Sequence, residues 1–301
     1  MSNQKPPVTV LGAGSMGSAI VGALLAAGHP TTVWNRSPER VVPLVRIGAR
    51  QEMSVADAVA ASPVTIGILT TFRATRESLE GADLNGREVI TLNSGTPFEA
   101  REFAQWTTQR GARFLGGAIK NVPSAMGSPD TLLYFGGERA VFDKHAETLR
   151  VLGGDLVHLG DDPDLAALYE SAVGATLLPT LLGFLEGAAV LRARGIDAAS
   201  MVPYSTKWLQ MIESLLPVLA GEIDDRDYTR LGSSVALFET AAGDDAQLAK
   251  ESGVDLSWHA PMHDLLRRAV AEGLGEQSIT ALIELLATSL DRESTAQLTS
   301  Q

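Results

Sequence analysis

Gly12, Gly14 and Gly17 follow the strand-like run Val8-Thr9-Val10-Leu11 and stand where a helical pattern begins. That spacing suits a pyrophosphate. The first glycine makes a tight turn, the second lets backbone approach the phosphates, and the third lets helix and strand touch. The amides at the helix start, at Ser15 and Met16, supply an anion-binding end. About twenty residues further on, an NAD site carries Asp or Glu to hold the ribose 2′-hydroxyl. This chain reads Trp34-Asn35-Arg36-Ser37-Pro38-Glu39-Arg40 instead. Arg36 and Arg40 can pair with a 2′-phosphate that an acid would repel, and Asn35 and Ser37 can add hydrogen bonds. The expected cofactor is NADPH. The plainer reading, two solvated arginines on a loop, is disfavoured by their position after a second strand.

Those glycines need a sheet behind them. Val8–Leu11, Thr31–Trp34, Val64–Leu69, Val89–Asn93, Arg113–Leu115, Leu132–Phe135 and Leu156–His158 read as strands. Helical segments such as Met16–Ala27, Pro38–Ile47 and Pro97–Arg110 lie between them, and this alternation predicts an α/β, mostly parallel, doubly wound sheet. From Leu165 the pattern is helical throughout: an apolar segment to about Arg194, then Ala198–Leu219, Tyr228–Ser252, Pro261–Glu272 and Ser278–Leu290. Gly195, Gly253 and Gly273 read as helix stops. The predicted boundaries are a cofactor domain over 1–163, one interdomain helix over 164–195 and a helical domain over 196–301. The Leu165–Arg194 segment reads first as a core helix. Helices with no strands to pack upon also suggest burial against a second subunit, and a homodimer is expected.

Composition excludes several chemistries. The 301 residues are 45% apolar, enough for packed cores, and carry 36 acidic against 24 basic residues for a net charge of -12. Such a chain has no general footprint for nucleic acid or an anionic membrane. With no cysteine, disulfides, thiolate metal sites and a cysteine nucleophile are ruled out. The five histidines look scattered, without paired metal-ligand spacing, so no metal is expected. Met1–Pro6 has no apolar signal core, and the 15 residues between Glu170 and Glu186 fall short of the ~20 that cross a bilayer. A soluble, cytoplasmic protein is expected.

Gly12–Gly17 with Asn35-Arg36-Ser37 resembles the β-hydroxyacid dehydrogenase and imine reductase superfamily. Asn93-Ser94-Gly95-Thr96-Pro97, Gly117-Ala118-Ile119 with Val122-Pro123-Ser124, Gly127-Ser128-Pro129 and Leu133-Tyr134-Phe135-Gly136-Gly137 narrow the resemblance to imine reductases and reductive aminases. Gly183-Phe184-Leu185, Ile223–Tyr228 and Arg268–Gly273 extend it over essentially the whole chain. The resemblance implies a Rossmann domain, a long interdomain helix and an all-helical C-terminal domain exchanged between two chains that share active sites. It implies hydride transfer from NADPH to the carbon of a C=N bond, giving an amine, and this chain's own Leu178 and Glu170 suit a cyclic imine or iminium, a bulky aromatic one included. Leu69, Thr70 and Thr71 then lie along the cofactor with Asn93. Ser94 comes close to the nicotinamide, where it either bonds the substrate nitrogen or simply caps a turn.

The resemblance also separates two branches. Dehydrogenases of the superfamily use a lysine on the long helix, and its position here falls on Glu170. A carboxylate cannot replace that ammonium at an alcohol oxygen, but it favours a cationic iminium. A surface acid is the ordinary alternative. Many relatives carry Tyr or Asp two turns later, where this chain has Leu178, and Ala175 is no substitute. The loop after Gly117-Ala118-Ile119 departs from the family in reading Lys120-Asn121. Lys120 can pair with Glu170, hold an acidic substrate group or supply a proton; equally, its stem can pack while its head reaches solvent. Asn121, Leu178, Trp208, Phe238 and Glu239, with Trp258 and His259 less firmly, match substrate-facing positions. Two other readings stay open: a β-hydroxyacid dehydrogenase, and a non-catalytic NADPH-binding protein.

Overall fold

The computed structural model describes residues 5–286, and the chain divides after Thr176 into two compact units. In the first, β1 (Val8–Leu11), β2 (Thr31–Trp34), β3 (Arg50–Gln51), β4 (Val64–Gly67), β5 (Glu88–Thr91), β6 (Arg113–Lys120), β7 (Leu132–Gly137) and β8 (Asp155–Gly160) form one sheet. Its order is β3-β2-β1-β4-β5-β6-β7-β8, parallel throughout except for antiparallel β6–β7. Connections reverse direction between β1 and β4, and ligands of such sheets bind beyond the carboxyl ends of the strands at that point. Helices α1 (Ser15–Ala26), α2 (Val42–Arg46), α3 (Val55–Ala60), α4 (Phe72–Leu79), α5 (Pro97–Thr108), α6 (Arg139–Arg150) and α7 (Leu165–Gly174) complete the unit. Ile20, Leu24, Leu133 and Leu149 fill one buried cluster and Phe72, Leu79, Phe103 and Trp106 another.

Three departures from the sequence expectation matter for the site. Strands β4 and β5 end two residues earlier than predicted. Asn93 explains this: its buried amide donates to the carbonyl of Leu69 and to Thr75 Oγ1 (3.0 Å), holding the chain off the sheet as a loop. Strand β6 is longer than predicted and runs through Gly116-Gly117 to Lys120. A Cβ at Gly117 would stand 2.5 Å from the Phe135 ring, so a residue type that disfavours strands is required here by packing. The two-residue edge strand β3 was too short to carry a pattern.

The single helix expected over 164–195 is two helices, α7 and α8 (Leu177–Ala193), with a turn at Ala175–Thr176. Pro179 has no N–H for the carbonyl four residues back, and its ring crowds that carbonyl, which belongs to Ala175. Contrary to expectation, this segment also reaches a membrane-spanning length. By length and composition alone the 29-residue stretch Leu165–Ala193, with mean hydropathy 1.5, is long and apolar enough.

The second unit continues with α9 (Val202–Asp225), α10 (Val235–Ala241), α11 (Asp245–Ser252), α12 (Ala260–Ala271) and α13 (Ile283–Leu286). Residues 287–290 of the last predicted helix lie outside the described residues. Gly195, Gly253 and Gly273 follow helix ends with positive φ of 70°, 68° and 88°, the left-handed conformation of a glycine stop. The helix predicted from Tyr228 starts only after Ser234, whose Oγ accepts the Leu237 amide. Residues 228–233 instead wrap a buried carboxylate. Glu222 Oε1 accepts from the amides of Arg230 (2.6 Å) and Leu231 (3.1 Å) and from Ser278 Oγ (2.8 Å), while Thr280 Oγ1 donates to Oε2. Burial pushes this carboxyl up, but those donors, led by Thr280 and Ser278, outweigh it and hold the group below its ordinary value of 4.5.

A carboxylate held low stabilises the fold above its unfolded pKa, and that contribution is lost as pH falls through the folded one. Replacing Glu222 by Ala strands several donors and is expected to cost on the order of 3 kcal/mol. In urea unfolding followed by far-UV circular dichroism, the gap between wild type and Glu222→Gln narrows as pH falls below about 4.5.

Candidate active site

Helix α1 approaches β1 closely because two glycines meet. A Cβ on Gly17 would come 2.1 Å from the Gly12 carbonyl oxygen, and one on Gly12 (φ 121°) would come 2.9 Å from the Ile68 carbonyl oxygen. Nothing lies within 4 Å of a Cβ built on Gly14, leaving backbone open to a ligand. From the end of β2, Asn35 Oδ1 accepts the Ala13 amide (2.9 Å) and Asn35 Nδ2 donates to the Ser37 carbonyl (2.9 Å). The result is a groove of about 530 Å³ lined by Gly12, Gly14, Asn35, Arg36, Ser37, Arg40, Leu69 and Thr70, among others. Neither Arg36 nor Arg40 is drawn into a salt bridge among the described residues. Two uncommitted guanidiniums beside a glycine turn and a helix start fit a phosphorylated dinucleotide.

A second cavity of about 190 Å³ shares Ile68 with the groove and is lined by Met16, Leu92, Asn93, Ser94, Ala118, Ile119 and Glu170. Glu170 reaches it from α7. Its Oε1 lies 2.8 Å from Lys120 Nζ at the end of β6, and that ammonium also donates to the Glu170 carbonyl at 3.3 Å. Tyr134 on β7 donates its O–H to Glu170 Oε2 at 3.3 Å. Lys120 and Glu170 are each about one-quarter exposed, and Tyr134 is buried. Burial, and the Glu170 carboxylate beside it, push the Tyr134 hydroxyl above its ordinary range, so it acts as a hydrogen-bond donor near neutral pH. Three elements thus fix one carboxylate at a cavity next to the dinucleotide groove.

Residues 162–288 match the model of the NADPH-dependent reductive aminase-like C-terminal domain, and residues 7–160 match the NAD binding domain of 6-phosphogluconate dehydrogenase. The NADPH-dependent reductive aminase of Aspergillus oryzae is 30% identical over 282 residues, 92% of this chain and 96% of the relative. The chain belongs to the reductive aminase and imine reductase family. A reductive aminase from Aspergillus terreus, solved with NADPH4, cyclohexanone and allyl amine, is 32% identical with a TM-score of 0.88, over 93% of this chain and 99% of that one. The Streptomyces aurantiacus imine reductase reaches a TM-score of 0.89 at 29% identity over the same shares.

Within this family member the structure brings together the glycine turn, the 35–40 loop, Leu69 and Thr70, and gathers Met16, Asn93, Ser94 and Glu170 at the smaller cavity. Ser15 opens α1 beside them. Asn35 lines the groove and Asn93 the smaller cavity as expected, and both amides also brace loops. Thr71 caps α4 by accepting the Ala74 amide at 3.1 Å. Asn121, expected to face substrate, lines neither cavity. Its amide donates to the Ala125 carbonyl (3.2 Å) and Thr131 Oγ1 (2.6 Å) and accepts from Val122, closing the β6–β7 loop.

Leu178, Trp208, Phe238 and Glu239 lie in the helical unit, where the first three are exposed. Trp258 and His259 face polar partners: Trp258 Nε1 donates to Glu186 Oε2 (2.9 Å), and His259 Nδ1 meets Asp245. The histidines are also less scattered than the sequence suggested, because His259 and His263 are one turn apart and share Asp245. Tyr134 was missed as a site residue. Its one sequence signal is its place in the apolar strand run Leu132–Phe135, which cannot reveal a partner 36 residues away.

Arg36→Ala combined with Arg40→Ala is expected to weaken NADPH by about 10–100-fold, roughly 1.4–2.8 kcal/mol, while NADH is little affected. Fluorescence titration of both nucleotides measures the ratio.

Proposed function

We propose that this chain is an NADPH-dependent imine reductase acting on a cyclic imine or iminium, bulky aromatic ones included. When bound, NADPH supplies the hydride that reduces the C=N carbon to an amine. The observation that carries the reading is the Glu170 carboxylate at the small cavity, held 2.8 Å from Lys120 Nζ. With Lys120 offsetting part of its charge, a carboxylate fixed in place still favours a cationic iminium over a neutral carbonyl, and it needs no reorganisation as the substrate arrives. Lys120 and Tyr134 position that carboxylate from neighbouring strands β6 and β7, and Ser94 offers a hydroxyl to the substrate nitrogen. Leu178, at the position expected to carry a proton donor, has no proton to give. A preformed iminium needs none, whereas a neutral imine must be protonated before or as hydride arrives. An imine reductase from Aspergillus terreus, 32% identical, was solved with NADPH4 and dibenz[c,e]azepine, which supports a bulky aromatic ring system as substrate here. A hydroxyacid dehydrogenase is disfavoured by Glu170 in place of lysine.

We further propose a cytoplasmic homodimer in which a second copy covers the apolar faces of the helical unit and completes each active site. Support comes from Leu177, Leu181 and Leu185 on α8 and Trp208 on α9, all at least half exposed. Apolar surface of that extent marks an interface. Leu181→Asp with Leu185→Asp is expected to give a monomer by sedimentation that still binds NADPH but has lost its activity.

The function is tested by comparing kcat/KM for an N-alkylated iminium and its neutral imine across pH, with 1-pyrroline, a dihydroisoquinoline and a hydroxy acid in parallel. The iminium is expected to be reduced faster, with the gap widening as pH rises. Equal rates at high pH would sink the preference for a preformed cation. Glu170→Gln is expected to lower kcat/KM for the iminium by about 100-fold with NADPH affinity unchanged. Turnover of the hydroxy acid alone would point to a dehydrogenase, and tight NADPH binding without turnover of any substrate to a non-catalytic protein.

A further inference from the structure

We propose that the helical unit carries a binding site for a divalent transition-metal ion of the zinc class, built from Asp245, His259 and His263. Asp245 is the first residue of α11. His259 and His263, four apart, occupy one turn at the start of α12 and project from the same side. One ligand atom from each lies within 4.8 Å of the others. His263 Nε2 is 3.0 Å from Asp245 Oδ2, and His259 Nδ1 meets the same oxygen. A tetrahedral zinc ion with bonds of about 2.0–2.1 Å holds its ligand atoms roughly 3.3 Å apart. Modest movement of Asp245 and the two rings, whose ligand atoms all lie within 4.8 Å of one another, is enough to admit one.

The far side of His259 carries the second observation. Its Nε2 lies 2.9 Å from Glu186 Oε2, and the same carboxylate oxygen accepts the Trp258 indole N–H at 2.9 Å. Metal-ligating histidines regularly donate their other ring N–H to a carboxylate, which fixes the tautomer and points the remaining lone pair at the ion. With one nitrogen given to Glu186, the other faces Asp245, and acceptors stand on both sides of one ring. Positive charge between His259 and Asp245 relieves that clash. A metal ion supplies it for His263 at the same time.

The surroundings leave a place for a fourth ligand. A cavity of about 290 Å³ is lined by Asp245, His263, Asp255 and Ser257, so water or a small anion can complete the coordination. Two imidazoles with one carboxylate select a zinc-class ion over magnesium or calcium, which prefer all-oxygen sites. Among the described residues this is the single group of three or more such side chains close enough to share an ion. Bound there, the ion ties the start of α11 to the start of α12, with α8 supporting through Glu186.

The test uses tag-free, full-length protein stripped with chelator and titrated calorimetrically with zinc chloride, followed by metal analysis after dialysis. One zinc per chain is expected, with a raised unfolding midpoint and no competition from millimolar magnesium. His263→Gln and Asp245→Asn are each expected to weaken binding at least 100-fold, and Glu186→Gln by about 10–100-fold. Cobalt loading should give the visible absorption of a four-coordinate ion with nitrogen ligands. Absence of saturable zinc binding to the wild-type chain, or one-to-one binding that survives His263→Gln, overturns the proposal. The wild-type titration stands whether or not a variant folds, and imine turnover enters neither result.

Discussion

The cofactor end of this protein depends on how closely helix α1 can come to the end of strand β1. That distance is set by the absence of two side chains, at Gly12 and Gly17, where any Cβ would collide with backbone carbonyls. Once helix and strand touch, α1 begins right after Gly14 on the groove lining, and Asn35 locks the turn from the next strand. The loops after β4 and β5 complete the wall, held off the sheet by Asn93. Each brace is an asparagine amide satisfied within the fold, Asn35 by backbone and Asn93 by backbone and Thr75, which suits a site that must be rigid before its ligand arrives.

Charge is arranged against the background of an acidic chain. Among the described residues Arg36 and Arg40 have no salt-bridge partner at the groove, where a phosphate can take them, whereas Lys120 is committed to Glu170. The contrast has a physical reason. A cation reserved for a ligand must not be tied to a neighbouring carboxylate, and a carboxylate meant to face a substrate must be kept from swinging away. Lys120 and Tyr134 do the second task from adjacent strands, which the antiparallel pairing of β6 and β7 brings side by side.

The helical unit is held differently. Its buried apolar cluster is small, centred on Val235, Leu266 and Ala269, and much of its organisation comes from polar hubs. Glu222 gathers the 228–233 segment and the start of the 279–282 turn, and Asp245 gathers two histidines. Among the described residues, its large apolar surfaces on α8 and α9 lie outside the buried cluster.

Much of this was legible in the sequence. The glycine turn, the arginine pair, the strand–helix alternation and the glycine stops are local patterns, and local patterns report local backbone requirements. Lys120 and Glu170 were legible as departures from a family pattern, but not as a bonded pair with Tyr134. The roles of Asn35, Asn93 and Asn121 were not legible either, because an asparagine that binds a ligand and one that braces a loop look alike until its partners are known. The same holds for His259 and His263, whose spacing gains meaning only when Asp245 and Glu186 arrive from other helices. By itself, the sequence determined the cofactor turn, the phosphate preference and the order of the elements, since each rests on residues near in the chain. Tertiary structure alone decided which polar side chains are spent on the fold and which are left for chemistry, since that depends on partners tens of residues apart.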